Sequence, residues 1–241
     1  MNHKPIIVAL DYNNSVEALS LAARLDPSLC RLKVGKELHT AAGPQVIDDL
    51  MKQGFEVFLD LKFHDIPNTV ASTCKVAASQ GVWMMNVHAS GGKKMLAAAR
   101  DAVATVSGKR PLLIAVTVLT SLSQNELGEI GLQPDMKSAV LNYASLAFDA
   151  DLDGVVCSAQ EATWLKARFG QTFQLVTPGI RLAEDAKGDQ SRVVTPADAI
   201  KMGADYLVIG RSITASPDPI ATLHKINNDL KLQEQKEKAQ V

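Results

Sequence analysis

The sequence predicts a single (β/α)8 barrel, the TIM-barrel class of α/β protein, and three observations support this prediction. Eight short apolar runs alternate with helical patterns along the chain, mostly ~25 to 30 residues apart, which is the size of one β/α unit. Several runs, such as Ile6–Leu10, are almost continuously apolar, as is typical of parallel strands buried on both faces. The length of 241 residues suits one such barrel.

The eight predicted strands follow one another without a linker. They are Ile6–Leu10, Arg31–Gly35, Glu56–Leu61, Trp83–His88, Leu112–Leu119, Gly154–Cys157, Gln174–Thr177 and Tyr206–Ile209. We therefore expect one domain over residues 1–241, with a polar tail from about residue 228 that continues or frays from the last helix. A doubly wound open sheet is the alternative, but no G-x-G-x-x-G motif follows the first strand.

Helix-capping residues stand between the predicted strands. Asn14 and Ser158 each precede a glutamate by three residues, which is the spacing of a capping box. Asn68 is expected to cap the helix after the third strand, and Thr195 to cap a short helix that begins with Pro196.

Composition and charge narrow the range of partners. The formal net charge is −1, which gives no electrostatic reason to expect a nucleic acid or a membrane surface as partner. No apolar run approaches the length of a membrane span, and Ile6–Leu10 is too short for a signal peptide.

Cys30, Cys74 and Cys157 lie far apart without metal-site spacing. We expect a cytoplasmic protein with reduced cysteines and no metal site.

Charged residues cluster at the ends of the first three predicted strands. Asp60 and Lys62 are two residues apart, so their side chains should share one face of a strand, ~6.6 Å apart along the backbone. Lys33 could add a second ammonium group, and Asp65, in the following loop, could fold back or reach another subunit. Such a network is costly for stability alone, and barrels keep their active sites at this end, so the pattern predicts a catalytic centre.

The loops after the seventh and eighth strands are typical of a phosphate site. Gly179 with Arg181 and Gly210 with Arg211 lie in the two loops that usually bind phosphate in barrels of this class. The polar stretch 182–191 has the length of a mobile lid, although a passive surface loop has the same composition. His88 is more typical of a hydrogen-bonded structural residue than of a catalyst, and His64 has no acidic partner evident in the sequence.

The segment Asp60–Thr69, with the sequence DLKFHDIPNT, resembles the signature of orotidine 5′-phosphate decarboxylases. The resemblance extends over nearly the whole chain. It includes Ala9–Asp11, Lys33–Gly35, Val118–Ser121, Thr177–Arg181, Gly188–Gln190 and Ile209–Arg211. It implies an enzyme of de novo pyrimidine synthesis that converts orotidine 5′-monophosphate to uridine 5′-monophosphate and CO2 without a cofactor.

The resemblance also implies a role for individual residues. Lys62 would protonate the C6 carbanion that remains when CO2 departs, Asp60 would lie beside the substrate carboxylate, and Lys33 with Asp11 would hold the ribose hydroxyls. In a homodimer, Asp65 and Thr69 would reach the site of the partner subunit. The remaining substrate-binding residues would be Thr120 or its neighbour Ser121 at the base, Gln190, Gly210 and Arg211 at the phosphate, Arg181 at the lid, and Pro178.

Two other functions remain as alternatives. The related magnesium-dependent 3-keto-gulonate-phosphate decarboxylases and hexulose-phosphate synthases share the Asp-x-Lys-x-x-Asp pattern, but they use an acidic residue on the second strand. Lys33 places a cation there and disfavours a metal. A barrel that binds a phosphometabolite without turnover is disfavoured because binding alone does not need an alternating array of charges.

Overall fold

The chain forms a closed barrel of eight parallel strands that follow one another in sequence order, with helices between them. This computed structural model describes residues 4–133, 135–182 and 194–238. The predicted (β/α)8 barrel is therefore confirmed.

Four strands have the bounds predicted from the sequence, and the other four differ from them by one to three residues at an end. The strands are β1 Ile6–Leu10, β2 Arg31–Gly35, β3 Val57–Phe63, β4 Met84–His88, β5 Leu112–Val116, β6 Gly154–Val156, β7 Gln174–Thr177 and β8 Tyr206–Ile209. The helices are α1 Ser15–Ala22, α2 Lys36–Ala42, α3 Gln45–Lys52, α4 Pro67–Ser79, α5 Gly92–Ala104, α6 Gln124–Glu129, α7 Met136–Asp149, α8 Ala159–Phe169, α9 Pro196–Lys201, α10 Arg211–Thr214 and α11 Pro219–Lys238.

Successive side chains along each strand point alternately into the barrel and outward to the helices, as the strand period of two requires. The inward face fills the barrel with one apolar cluster, which includes Ile7, Phe58, Met84, Ile114 and Val176. The outward residues belong to a larger core beneath the helices. A polar residue at an inward position therefore lies at one end of the barrel or the other.

Helix capping follows the sequence at most positions. The Asn14 side chain accepts a hydrogen bond from the backbone N–H of Glu17 at 2.9 Å, and Ser158 forms a capping box. The prediction for Asn68 was wrong. Helix α4 begins at Pro67, because proline at the first helical position has no N–H that would need a partner, so Asn68 already lies within the first turn.

The predicted polar tail is the second half of a long final helix. Leu223 and Ile226 of α11 are buried in the outer core, and the helix continues to Lys238. In the described part of the chain, no helix is both long and apolar enough to span a membrane.

Candidate active site

Strand β3 brings Asp60 and Lys62 together at the carboxyl end of the barrel. The Lys62 Nζ atom lies 2.5 Å from Asp60 Oδ1, and both side chains are mostly buried. The predicted pairing of these two residues is therefore confirmed. The backbone is not that of a regular strand, however, because Lys62 has a φ of +54° and the pairing with β4 shifts register between Leu59 and Phe63.

The side chain of Lys33 extends this pair to a row of alternating charges. Its Nζ atom lies 3.5 Å from Asp60 Oδ2 and 3.1 Å from Asp11 Oδ1. The resulting order is Asp11, Lys33, Asp60, Lys62, and we call these four residues the charge array. Each internal member has a partner of opposite charge on both sides, which offsets the cost of partial burial.

Asn86 on β4 is a member of this site that the sequence analysis missed. Its side chain is completely buried. Its Nδ2 group donates to Asp60 Oδ1 at 2.7 Å, and its Oδ1 atom accepts from the backbone N–H of Lys62 at 2.8 Å. The signal available in the sequence was a single polar residue at an inward position of an apolar run.

A cavity of about 350 Å³ opens in front of the charge array, a size within the usual range for small-molecule sites. Its apolar lining consists mainly of inward strand residues, Ala9, Phe58, Val156, Val176 and Val208. The predicted site residues that line it are Asp11, Lys33, Asp60, Lys62, Thr120, Pro178, Arg181, Gly210 and Arg211. Ser121 does not line this cavity, so the structure favours Thr120 over Ser121 as a contact of a bound ligand.

The rim of the cavity has a positive character. Arg181 and Arg211 both line it, and within the described ranges neither guanidinium pairs with a carboxylate. Gly179 has a φ of +77°, a conformation that favours glycine, and it turns the chain between β7 and Arg181. Two guanidinium groups beside a glycine turn are suited to an anion.

Two predicted site residues lie away from the cavity of their own chain. Asp65 and Thr69 are both exposed, and neither lines the cavity. The Asp65 carboxylate accepts a hydrogen bond from the backbone N–H of Ile66 at 2.6 Å. The structure thus gathers Lys33, Asp60 and Lys62 but leaves Asp65 at the surface. Gln190 and most of the predicted lid fall outside the described residues.

His88 lies at the end of β4, near the mouth of the barrel. Its ring centroid is 5.4 Å from that of His64. Burial, together with the positive groups of His64, Lys36 and Lys62, lowers the pKa of His88 to about 4, although Asp60 opposes the shift. His88 is therefore neutral at neutral pH. It does not line the cavity.

A protein-family model described as "Orotidine 5'-phosphate decarboxylase / HUMPS family" matches residues 4–226 of this chain. The chain belongs to this family. The match spans all eight strands and every described member of the site.

Curated relatives of this family member cover almost its full length. It is 60% identical over 226 residues to the orotidine 5′-phosphate decarboxylase of Laribacter hongkongensis, with 94% of this chain and 93% of the relative covered. It is 58% identical to the decarboxylase of Chromobacterium violaceum, with coverage of 94% and 91%. The crystal structure of orotidine 5′-phosphate decarboxylase from Lactobacillus acidophilus superposes with a TM-score of 0.85 at 39% identity, covering 94% of this chain and 99% of that one.

Proposed function

We propose that this protein is a carboxy-lyase of pyrimidine biosynthesis that converts orotidine 5′-monophosphate to uridine 5′-monophosphate and CO2. In this proposal it needs no cofactor, and Lys62 supplies the proton. The family match and the curated relatives support the overall reaction. The observation that carries the mechanism is the charge array facing a cavity whose rim holds Arg181 and Arg211, neither of which pairs with a carboxylate among the described residues.

The substrate has two anionic groups at its ends, and the cavity offers positive charge at two places. The phosphate would bind at Gly210 and Arg211, with Arg181 nearby. The ribose hydroxyls would contact Asp11 and Lys33, and the base would lie against Thr120 and Pro178. Binding energy from the phosphate would then orient the pyrimidine ring over the charge array.

The chemical step follows from the position of the Lys62 ammonium group. When the bond between C6 and the carboxyl carbon breaks, its electron pair stays on C6 and CO2 leaves. The ammonium group stabilises this developing negative charge and then donates its proton to C6. Asp60 accepts hydrogen bonds from Lys62 and Asn86 and has Lys33 as a further ionic partner, so it holds the lysine side chains in place before substrate binds.

A metal-free mechanism is supported by Lys33 on β2. Lys33 takes up the space beside Asp60 with a cation of its own, and it already contacts two carboxylates. A magnesium ion there would add positive charge next to an ammonium group.

The assay that tests this proposal follows the ultraviolet absorbance of orotidine 5′-monophosphate with the purified protein, with and without a strong chelator. We expect the absorbance change of decarboxylation at the same rate in both samples. No change with folded protein would contradict the substrate. Activity that disappears with chelator and returns with magnesium would contradict the metal-free mechanism.

We propose further that the protein acts as a homodimer in which Asp65 and Thr69 complete the site of the partner subunit. Both residues are exposed and absent from the cavity of their own chain. Ile66, between them, leaves 67% of its surface exposed, an apolar contact that a second subunit could cover.

Mixing two inactive variants tests this arrangement. Lys62→Ala and Asp65→Ala should each lose turnover as homodimers. After the subunits are mixed and exchanged, one site of each heterodimer regains both residues, so roughly a quarter of wild-type turnover should return. No recovery despite heterodimer formation would contradict a shared site.

The state of the cysteines supports a cytoplasmic location for this reaction. All three are free and buried. Burial raises the pKa of Cys30 and of Cys74 to about 12, so these thiols are unreactive, as expected for structural cysteines in a reducing compartment.

A further inference from the structure

We infer that Asn86 is a positioning residue, which sets the geometry of the Lys62 ammonium group and the Asp60 carboxylate for the decarboxylation. The inference rests on the proposed function and deepens it. It follows from three features of the structure: a bulge in β3, two hydrogen bonds of one buried side chain, and the backbone conformation of Lys62.

The bulge lies where β3 carries the reactive pair. Leu59 of β3 pairs with Met85 of β4, and the next pair is Phe63 with Val87. Three residues of β3, from Asp60 to Lys62, therefore stand opposite the single residue Asn86. A bulge of this kind interrupts the backbone ladder and redirects side chains, and bulges are common beside active sites.

The carboxamide of Asn86 replaces hydrogen bonds that the interrupted ladder cannot make. It accepts from the backbone N–H of Lys62 at 2.8 Å and donates to Asp60 Oδ1 at 2.7 Å. Because Asn86 is completely buried, no water competes for either bond. One side chain thus joins the backbone of the proposed proton donor to the carboxylate that orients it.

The backbone of Lys62 needs this support. Its φ of +54° is in the left-handed region, which is unfavourable for a residue with a β-carbon and persists only where the surroundings enforce it. The bond from Asn86 Oδ1 fixes the peptide N–H at this point. The second bond fixes the rotation of the Asp60 carboxylate, so that Oδ1 faces Lys62 while Oδ2 faces Lys33.

The amide is well matched to this position because it is uncharged and both donates and accepts. An apolar side chain would leave the N–H of Lys62 buried without a partner. A carboxylate could still accept from that N–H, but it would add a negative charge beside Asp60. An apolar substitution therefore removes both hydrogen bonds, whereas a carboxylate keeps the acceptor for the Lys62 N–H and loses the donor to Asp60.

The experiment compares Asn86→Ala and Asn86→Asp with the wild type in turnover of orotidine 5′-monophosphate and in affinity for uridine 5′-monophosphate. We expect Asn86→Ala to lower kcat by about 100-fold, since misplacement of a reacting group by ~1 Å has an effect of this size. The Kd of the product should change by less than about threefold, because Asn86 does not line the cavity.

The pH profile adds a readout that a purely structural residue would not change. In Asn86→Asp, the alkaline limb of the kcat profile should move to higher pH, because the added negative charge favours the protonated ammonium group. The matched control is Asn227→Ala on α11. Asn227 is also a buried asparagine, whose Nδ2 donates to the Leu223 carbonyl, and its loss should leave kcat and its pH profile unchanged.

Several outcomes would overturn the role of Asn86. One is a kcat and pH profile of the folded Asn86 variants like those of the wild type. Another is an equal kcat loss in Asn227→Ala. A third is unfolding of both Asn86 variants or loss of their product binding, since Asn86 would then be needed for the fold itself. Absence of turnover in the wild type would instead contradict the proposed function.

Discussion

The two ends of the barrel each carry a buried positive charge on the same strand, and comparing them shows what distinguishes the candidate site. Arg31 and Lys33 of β2 both point inward and are 9% and 8% exposed. At the amino end, the Arg31 guanidinium lies 4.0 Å from the ring centroid of Trp83 and 3.0 Å from Glu56. At the carboxyl end, Lys33 lies between two aspartates.

The difference between the ends is the space in front of the charge. Trp83 and Tyr206 pack edge to face, with centroids 5.1 Å apart, and close the amino end around Arg31. At the carboxyl end, the charge array faces an open cavity with Arg181 and Arg211 on its rim. A buried ion pair is therefore no evidence of function by itself. The free volume beside it decides whether a substrate can use the charge.

The largest effect expected from this comparison is at Lys62. Lys62→Ala should lower kcat by about 10⁴-fold, because the variant loses both the proton donor and the charge that stabilises the carbanion. Affinity for uridine 5′-monophosphate should stay within about tenfold of the wild type. Turnover by absorbance and product binding by calorimetry check these two expectations.

Lys201→Ala is the control for this substitution, since Lys201 lies exposed on α9, away from the cavity. It should leave both quantities unchanged. Near-normal turnover in Lys62→Ala would refute the proposed mechanism and remove the functional contrast between the two ends.

A substitution at the closed end should affect stability instead. Arg31→Leu removes a buried ion pair and a contact with an aromatic face, at an expected cost of about 2 kcal/mol in the free energy of unfolding. For a chain of this size, Tm should fall by roughly 4–8 °C. The kcat should remain within about twofold of the wild type at temperatures where both proteins are folded.

The matched control is Arg168→Leu. Arg168 is an exposed arginine 6.0 Å from the Phe169 ring centroid, and its loss should cost no more than about 0.5 kcal/mol. A large fall in kcat for Arg31→Leu would show that the amino end contributes to turnover and would break the comparison.

The smallest expected effect is the contribution of His88 to the pH dependence of the free energy of unfolding. Its pKa is about 4 in the folded protein and ~6.5 in an unfolded chain, so the unfolded state binds more protons between these values. This contribution is fully present above pH ~6.5 and is lost as the pH falls towards 4. Because His88 is partly exposed, we expect a loss of only about 1 kcal/mol between pH 7 and pH 5.

Urea unfolding of the wild type and of His88→Gln at several pH values checks this contribution. The fall in unfolding free energy from pH 7 to pH 5 should be smaller in the variant by about 1 kcal/mol. At pH 8 the two proteins should differ only by a constant amount from lost packing. Parallel curves across the whole range would show that His88 does not contribute to acid sensitivity.

The sequence alone determined the fold and three members of the charge array, Lys33, Asp60 and Lys62. The strand bounds of β1, β2, β7 and β8 could be predicted exactly, because continuous apolar runs between helical patterns are a local property. Lys33, Asp60 and Lys62 could be predicted because a period of two places them on the inward face and parallel strands bring their carboxyl ends together.

Only the tertiary structure decided the irregular backbone of β3 and which further side chains contact the charge array. The bulge in β3 depends on its pairing with β4, so neither the left-handed Lys62 nor the role of Asn86 could be read from one strand. The choice between Thr120 and Ser121 as a ligand contact also needed the structure, because only Thr120 lines the cavity. Arg31 has the same inward position as Lys33, and only the packing of aromatic rings around it shows that its end of the barrel is closed.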